Sequence, residues 1–454
     1  MNFSYLRREP GFYRRVFTLA LPVVLQNLIT TSLGFMDTFM VGLVGQEQMS
    51  AVTVANVPIY IIQLIVFGLQ SGSRVLISQF WGRGDRESIN RVMGIGFFVA
   101  GGISTLCALT MGLFPRQVLM LITDNARLVE LGTSYIRIVG FSYILNSLSS
   151  IYIGMQQSIE NPRFGMTVFA ISTVCNTVGN YILIFGKFGA PEMGVEGAAI
   201  ATVISRYVEL AIVAGWTHSH KARNAFIVGA YRSMYIPGKL LRSITIKGMP
   251  LLVNEFLWSS GMAVLNQCYS TCGLDVVPAM NICSTLFNLG SVVYLSMGNS
   301  VGIIMGQMLG AGHSEEDVRD TNRKLIAVSI ASGVVFGGLM AAVSEAFPGI
   351  YNTTDAVRHL AAQLIWISAV MMPFGSYLNA TYFTLRSGGQ TFVTFLFDSC
   401  FMWVFCVPLA FCLSRFTNLP ILPLYAICQA TDFIKCVIGT VMLKQGKWIQ
   451  NLTV

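Results

Sequence analysis

Twelve long apolar stretches, parted by short polar connections, constrain this chain more than any other feature. They fall near 16–41, 50–77, 92–114, 128–153, 164–186, 194–216, 244–270, 277–305, 325–346, 357–383, 390–413 and 421–443. A helix needs about 20 mostly apolar residues to cross the hydrocarbon core of a bilayer, because each residue advances it by about 1.5 Å. No water reaches the backbone there, so each stretch must satisfy its own N–H and C=O groups as a helix. Charged residues make up 11% of the 454, where a soluble domain carries about 25%. So few charges cannot solvate a globule of this size. The expected fold is an all-α polytopic membrane protein with twelve transmembrane helices.

The net charge of +8 could point to nucleic acid, but the placement of the basic residues decides against it. Connections on the side of the N-terminus hold 19 Lys and Arg, among them Arg7, Arg8, Arg83, Arg163, Arg232, Arg319 and Lys444. The opposite side holds five: Arg116, Arg127, Lys187, Arg358 and Arg415. Such an excess in short loops follows the positive-inside rule and puts both termini in the cytoplasm. The expected location is the cell (inner) membrane. The first apolar run is long enough to span, so it does not read as a cleaved signal. Most of the ten cysteines lie inside apolar helices and read as small hydrophobes. His218 and His220 read as solvated residues of the longest cytoplasmic loop.

A shift of 228 residues lays the chain on itself. Pro22 falls on Pro250, Arg91 on Arg319, and Gln79, Gly82 and Gly84 on Gln307, Gly310 and Gly312. Six helices then repeat in the same orientation, because an even number of crossings returns the chain to the same side. Two parallel six-helix lobes follow, and repeats of this kind place a substrate path at the interface between lobes. The expected limits are 1–216 for the N-terminal lobe, 217–243 for a cytoplasmic linker and 244–454 for the C-terminal lobe. Pro22 and Pro250 remove a backbone donor early in equivalent helices and read as bending elements. Gly298, Gly302, Gly306 and Gly310, four residues apart, read as a small-residue packing stripe.

Intramembrane acids carry the functional signal. A carboxylate at a helix centre costs about 2.5–3.5 kcal/mol on insertion scales, so it is seldom there without a partner or a task. Arg206–Glu209 and Asp432–Lys435 read as i,i+3 ion pairs. Asp37, Glu255 and Asp398 have no basic residue within a turn. Each is a candidate to bind a proton, a monovalent cation or a cationic substrate, or else a protonated acid bonded to a neighbouring helix. Asn176 and Asn180 share a helix face, and Thr202 lies on the next helix. If these meet Asp37, one charge and several hard oxygens suit a monovalent cation such as sodium. Trp258, three residues after Glu255, adds an aromatic face for an organic cation.

Several segments resemble the multidrug and toxic compound extrusion (MATE) family. They are Pro22 with Gly34-Phe35-Met36-Asp37-Thr38-Phe39-Met40-Val41-Gly42, Gln79-Phe80-Trp81-Gly82, Asn176 to Gly186, Gly194 to Arg206, and Lys447 to Thr453. The resemblance implies twelve helices in two six-helix lobes around a V-shaped cavity, with drug or metabolite efflux driven by inward sodium or protons. It also implies an N-lobe cation site at Asp37, Asn176, Asn180 and Thr202, and matches Glu255 to a C-lobe glutamate. Asp398 matches a subset of members. Some members carry aspartate where Asn180 stands, so a two-carboxylate proton relay is not expected of this chain.

The expected function is therefore a secondary antiporter that exports amphipathic, cationic small molecules by alternating access. It needs a lipid bilayer and a coupling ion, sodium or proton, but no cofactor, and is expected to act as a monomer. A lipid-linked precursor flippase is the alternative, disfavoured by the acidic residues. No H-E-x-x-H or P-loop motif occurs, and the histidines lie outside or at the ends of the apolar helices, so an enzyme is not expected.

Overall fold

The computed structural model describes residues 10–222, 224, 227–228 and 238–453. Among them the regular structure is helical. The spans are α1 (Pro10–Gly42), α2 (Gln46–Arg83), α3 (Arg86–Leu113), α4 (Ala126–Val139 with Ser142–Ser158), α5 (Pro162–Phe185), α6 (Gly194–Ser219), α7 (Gly238–Ser270), α8 (Val276–Ala311), α9 (Glu315–Val343), α10 (Asp355–Ser387), α11 (Thr391–Phe416) and α12 (Ile421–Gln445). Ten of these are long and apolar enough to cross a membrane singly, and α4 does so as a pair bent by 46°. The twelfth, α7, has the length at 33 residues, although Asn254, Glu255, Ser259 and Ser260 dilute its apolar run.

The internal repeat is visible in the elements. Helices α1 and α7 are both 33 residues long and remain helical through an internal proline, Pro22 in one and Pro250 in the other. Each ring deprives the residue four positions earlier, Thr18 or Ile246, of its usual backbone donor. Helices α2 and α8 end on the matched glycines. Gly84 (φ 78°) and Gly312 (φ 74°) take the left-handed conformation that closes a helix and that side chains resist. The next helices then start on polar caps, Asp85 and Ser314, which accept from the Ser88 and Asp317 amides. Burial alone would raise the Asp85 carboxyl, but the Ser88 amide and hydroxyl hold it below its ordinary value.

By their contacts the residues form two compact units, Met1–Val24 with Lys247–Val454, and Leu25–Ile246. This division differs from the expected lobe limits, since it falls within α1 and α7. The cause is apolar packing at the start of α1. Val16, Leu19 and Ala20 are buried in one cluster with Met297, Val301, Met305 and Trp448, and Arg15 donates to Gln307 Oε1 at 2.9 Å. The expected linker is shorter than 217–243, because α6 runs to Ser219 and α7 starts at Gly238. Much of the rest, including Arg223 and Arg232, lies outside the described residues. His218 is not a loop residue. It sits in the last turn of α6, 3.2 Å from the Tyr152 hydroxyl.

Two further readings meet the structure directly. All ten cysteines, each a described residue, are free thiols. The glycine stripe of α8 is a packing surface at Gly298 and Gly302, where an added Cβ would meet Asn379 and Phe383 of α10.

Candidate functional site

Within the Leu25–Ile246 unit, α1, α5 and α6 bring four polar side chains together. Asn180 Nδ2 donates to Asp37 Oδ1 at 2.6 Å and to Asn176 Oδ1 at 3.0 Å. Asn176 Nδ2 in turn donates to Thr202 Oγ1 at 3.3 Å, and the Thr202 hydroxyl donates to the Ala198 carbonyl at 3.0 Å. The spacing explains the line. Asn176 and Asn180 are one turn apart on the buried face of α5, so both amides point the same way. Close approach of α5 and α6 depends on Gly179 and Gly197, where a Cβ would press on Ala201 and on the Leu183 backbone.

This arrangement suits a hard monovalent cation. It offers one carboxylate, two amide oxygens and a hydroxyl, with no sulfur or imidazole. Asn180 Oδ1 is buried and accepts no hydrogen bond. Such an orphan oxygen is costly, and turning the amide would present it to the space beside Asp37. Tyr135, hydrogen-bonded to Asn56, is close enough to act electrostatically on Asp37.

A second acid in this unit is paired through one of its oxygens, the other, Oε1, being buried without a hydrogen-bond partner. Glu209 is 0% exposed, with Oε2 at 2.6 Å from Arg206 Nη1 and 3.2 Å from the Ser172 hydroxyl. The i,i+3 reading holds here. Arg206 also lies within electrostatic reach of Asp37, so Arg206 offsets one of the two negative charges.

In the other unit the pairing differs from expectation. Lys435 Nζ donates to Asp398 Oδ1 at 3.0 Å, and this contact, not one to Asp432, is the ion pair that Lys435 makes. Asp398 is therefore not a lone acid. Its other oxygen accepts from Asn254 Nδ2 at 3.3 Å, and the Ser399 hydroxyl, 2.7 Å away, donates to Asn254 Oδ1. Asp398 sits in a π-helical turn, Leu396–Cys400, followed by another at Met402–Cys406. A π turn inserts a residue into the helical ladder and turns side chains off the α register, often at functional sites. Asp432 remains an electrostatic neighbour of Lys435.

Glu255 is half-buried on α7 and acts electrostatically with Arg386 and Asp398. Arg386, 5% exposed, lies 5.3 Å from the centre of the Phe383 ring. Trp258 is 43% exposed. Sequence reasoning missed Lys435 as the partner of Asp398, and with it Asn254, Ser399 and Arg386. The available signal was the lysine itself, costly within an apolar helix and in need of a carboxylate somewhere.

Repeated long apolar helices with carboxylates held inside them define a class, the multi-pass membrane transporters. The chain belongs to the MatE family, whose model matches residues 22–182 and again 250–412. The two matches begin at Pro22 and Pro250, in the register of the internal repeat. "Probable multidrug resistance protein NorM" of Thermotoga maritima is 23% identical over 454 residues, covering 98% of this chain and 95% of that protein. "Multidrug resistance protein MdtK" of Edwardsiella ictaluri is 25% identical, covering 88% of this chain and 87% of that one. Among solved structures, the outward-facing conformation of a multidrug resistance MATE family transporter of the MOP superfamily superposes with a TM-score of 0.86. It is 18% identical, and 98% of each chain is covered.

Proposed function

We propose that this protein exports amphipathic organic cations across the cell (inner) membrane in exchange for inward sodium, by alternating access, with both termini cytoplasmic and the monomer as the working unit. The observation that carries the reading is the line Asp37–Asn180–Asn176–Thr202. In the described arrangement the Asn180 NH2 group sits between two oxygens as a partial positive charge. A sodium ion does the same work with a full charge, and the Asn180 amide, turned over, adds its oxygen to the ligand set. Asp37 supplies the negative charge, and the neutral oxygens replace water around the ion, by analogy with other hard cations. A single carboxylate in the line calls for one ion per cycle.

The names of the relatives supply the substrate direction, multidrug resistance. The test is efflux of an organic cation from proteoliposomes under sodium and proton gradients imposed separately. Export that follows the sodium gradient with pH clamped is the expected result. Export that follows only the proton gradient would replace sodium with a proton on Asp37.

A further inference from the structure

We propose that Asp398, Phe397 and Phe401 form a seat for a monovalent organic cation, and that Lys435 is a built-in competitor occupying it. The inference rests on the reading of this protein as an organic-cation exporter and names where in the C-terminal half the cation sits. The geometry is that of ammonium recognition. The Lys435 ammonium is 3.0 Å from Asp398 Oδ1. It stands 5.7 Å from the centre of the Phe397 ring and 5.9 Å from that of Phe401. A carboxylate with two aromatic faces within about 6 Å is how proteins hold quaternary ammonium ligands, by charge and by attraction to the ring faces. Here the chain's own lysine fills the place.

Three features separate this from a plain structural ion pair. The Lys435 and Asp398 side chains are 12% and 22% exposed, so neither is sealed within the helix packing. The carboxylate is held without the lysine, because Asn254 Nδ2 donates to Asp398 Oδ2 and Ser399 fixes the Asn254 amide. Lys435 also has somewhere to go. Asp432, one turn earlier on α12, already acts on it electrostatically, so the lysine can exchange one carboxylate for another as a substrate arrives. Counting Asp398, Asp432 and Glu255 against Lys435 and Arg386, this cluster sets three carboxyl groups against two basic side chains. With all three carboxyls ionised, one monovalent cation brings it to neutrality.

The competitor sets specificity. A substrate must outbid a tethered ammonium for Asp398, so small, weakly bound cations are excluded and large ones with aromatic surface are favoured. Tetraphenylphosphonium is a suitable probe, with equilibrium binding measured on the purified full-length protein in detergent. Lys435→Met should bind it at least tenfold more tightly than wild type. Lys435→Met combined with Asp398→Asn should lose that gain. Lys435→Arg keeps the charge and grips a carboxylate with two donors, so it should bind the probe several-fold more weakly. That variant answers the question even if Lys435→Met does not insert. Unchanged affinity in Lys435→Arg, or equal or weaker affinity in Lys435→Met, would overturn the proposal. The measurement is at equilibrium and without gradients, so its outcome is separable from whether sodium drives export.

Discussion

At the scale of single residues, buried charge is the currency of this molecule, and Asp37 and Arg206 use it in opposite ways. Asp37 takes its hydrogen bond from the neutral Asn180 amide, with Arg206 acting on it only at a distance, which leaves its charge available to an ion. Asp37→Asn should therefore abolish gradient-driven efflux while the protein still inserts and melts normally; wild-type transport rates in proteoliposomes would remove Asp37 from the coupling site. Arg206 instead neutralises Glu209, which is 0% exposed. Arg206→Met leaves an uncompensated buried carboxylate, for which about 3–5 kcal/mol is the usual cost. The purified variant should melt well below wild type, and Glu209→Gln in the same chain should recover most of the loss. Both residues could be read from sequence, Asp37 as a lone acid and Arg206–Glu209 as a pair one turn apart. The Lys435–Asp398 pair could not be read in that way. Its members are 37 positions apart on different helices, and local spacing offered Asp432 as the nearer choice. Only the packing of α11 against α12 decides between them.

At the scale of elements, repeat and hydropathy located the helices, and the departures have local causes. Helix α4 reads as one apolar run, yet it breaks between Val139 and Ser142 with a 46° bend, because both halves are apolar and nothing in hydropathy marks a change of direction. The two π turns of α11 are equally silent, since inserting a residue into the ladder leaves composition unchanged. The glycine stripe of α8, by contrast, was legible from its spacing, and it can be tested. A Cβ on Gly298 would run into Asn379 and lie 2.6 Å from the Phe383 ring. Overpacking of this kind costs about 1–3 kcal/mol, so Gly298→Ala should lower the melting temperature of the purified protein. Gly338 in α9 has nothing within 4 Å of an added Cβ, so Gly338→Ala should melt like wild type. Equal effects from the two substitutions would mean that α8 and α10 are not held at this distance.

At the scale of the whole molecule, the proposed stoichiometry has an electrical consequence that neither lobe shows by itself. One carboxylate in the Asp37 line admits one sodium ion inward per cycle. If the exported molecule carries one positive charge, the exchange moves no net charge, and membrane potential has nothing to act on. A neutral substrate exported by the same cycle leaves one uncompensated charge moving inward. Each charge crossing the membrane field is worth about 2.3 kcal/mol per 100 mV, which is roughly a forty-fold change in the accumulation ratio at about 1.4 kcal/mol per tenfold. Vesicles with sodium gradients fixed and a potassium diffusion potential stepped by 100 mV separate the cases. Export of a monovalent organic cation should be indifferent to the step, and export of a neutral compound should rise steeply when the sodium-receiving side is made negative. Potential dependence of the cation flux would mean more than one ion per cycle. A second site would then be required, and Glu255, half-buried and within electrostatic reach of Arg386 and Asp398, is where a second ion would be sought, by repeating the measurement with Glu255→Gln.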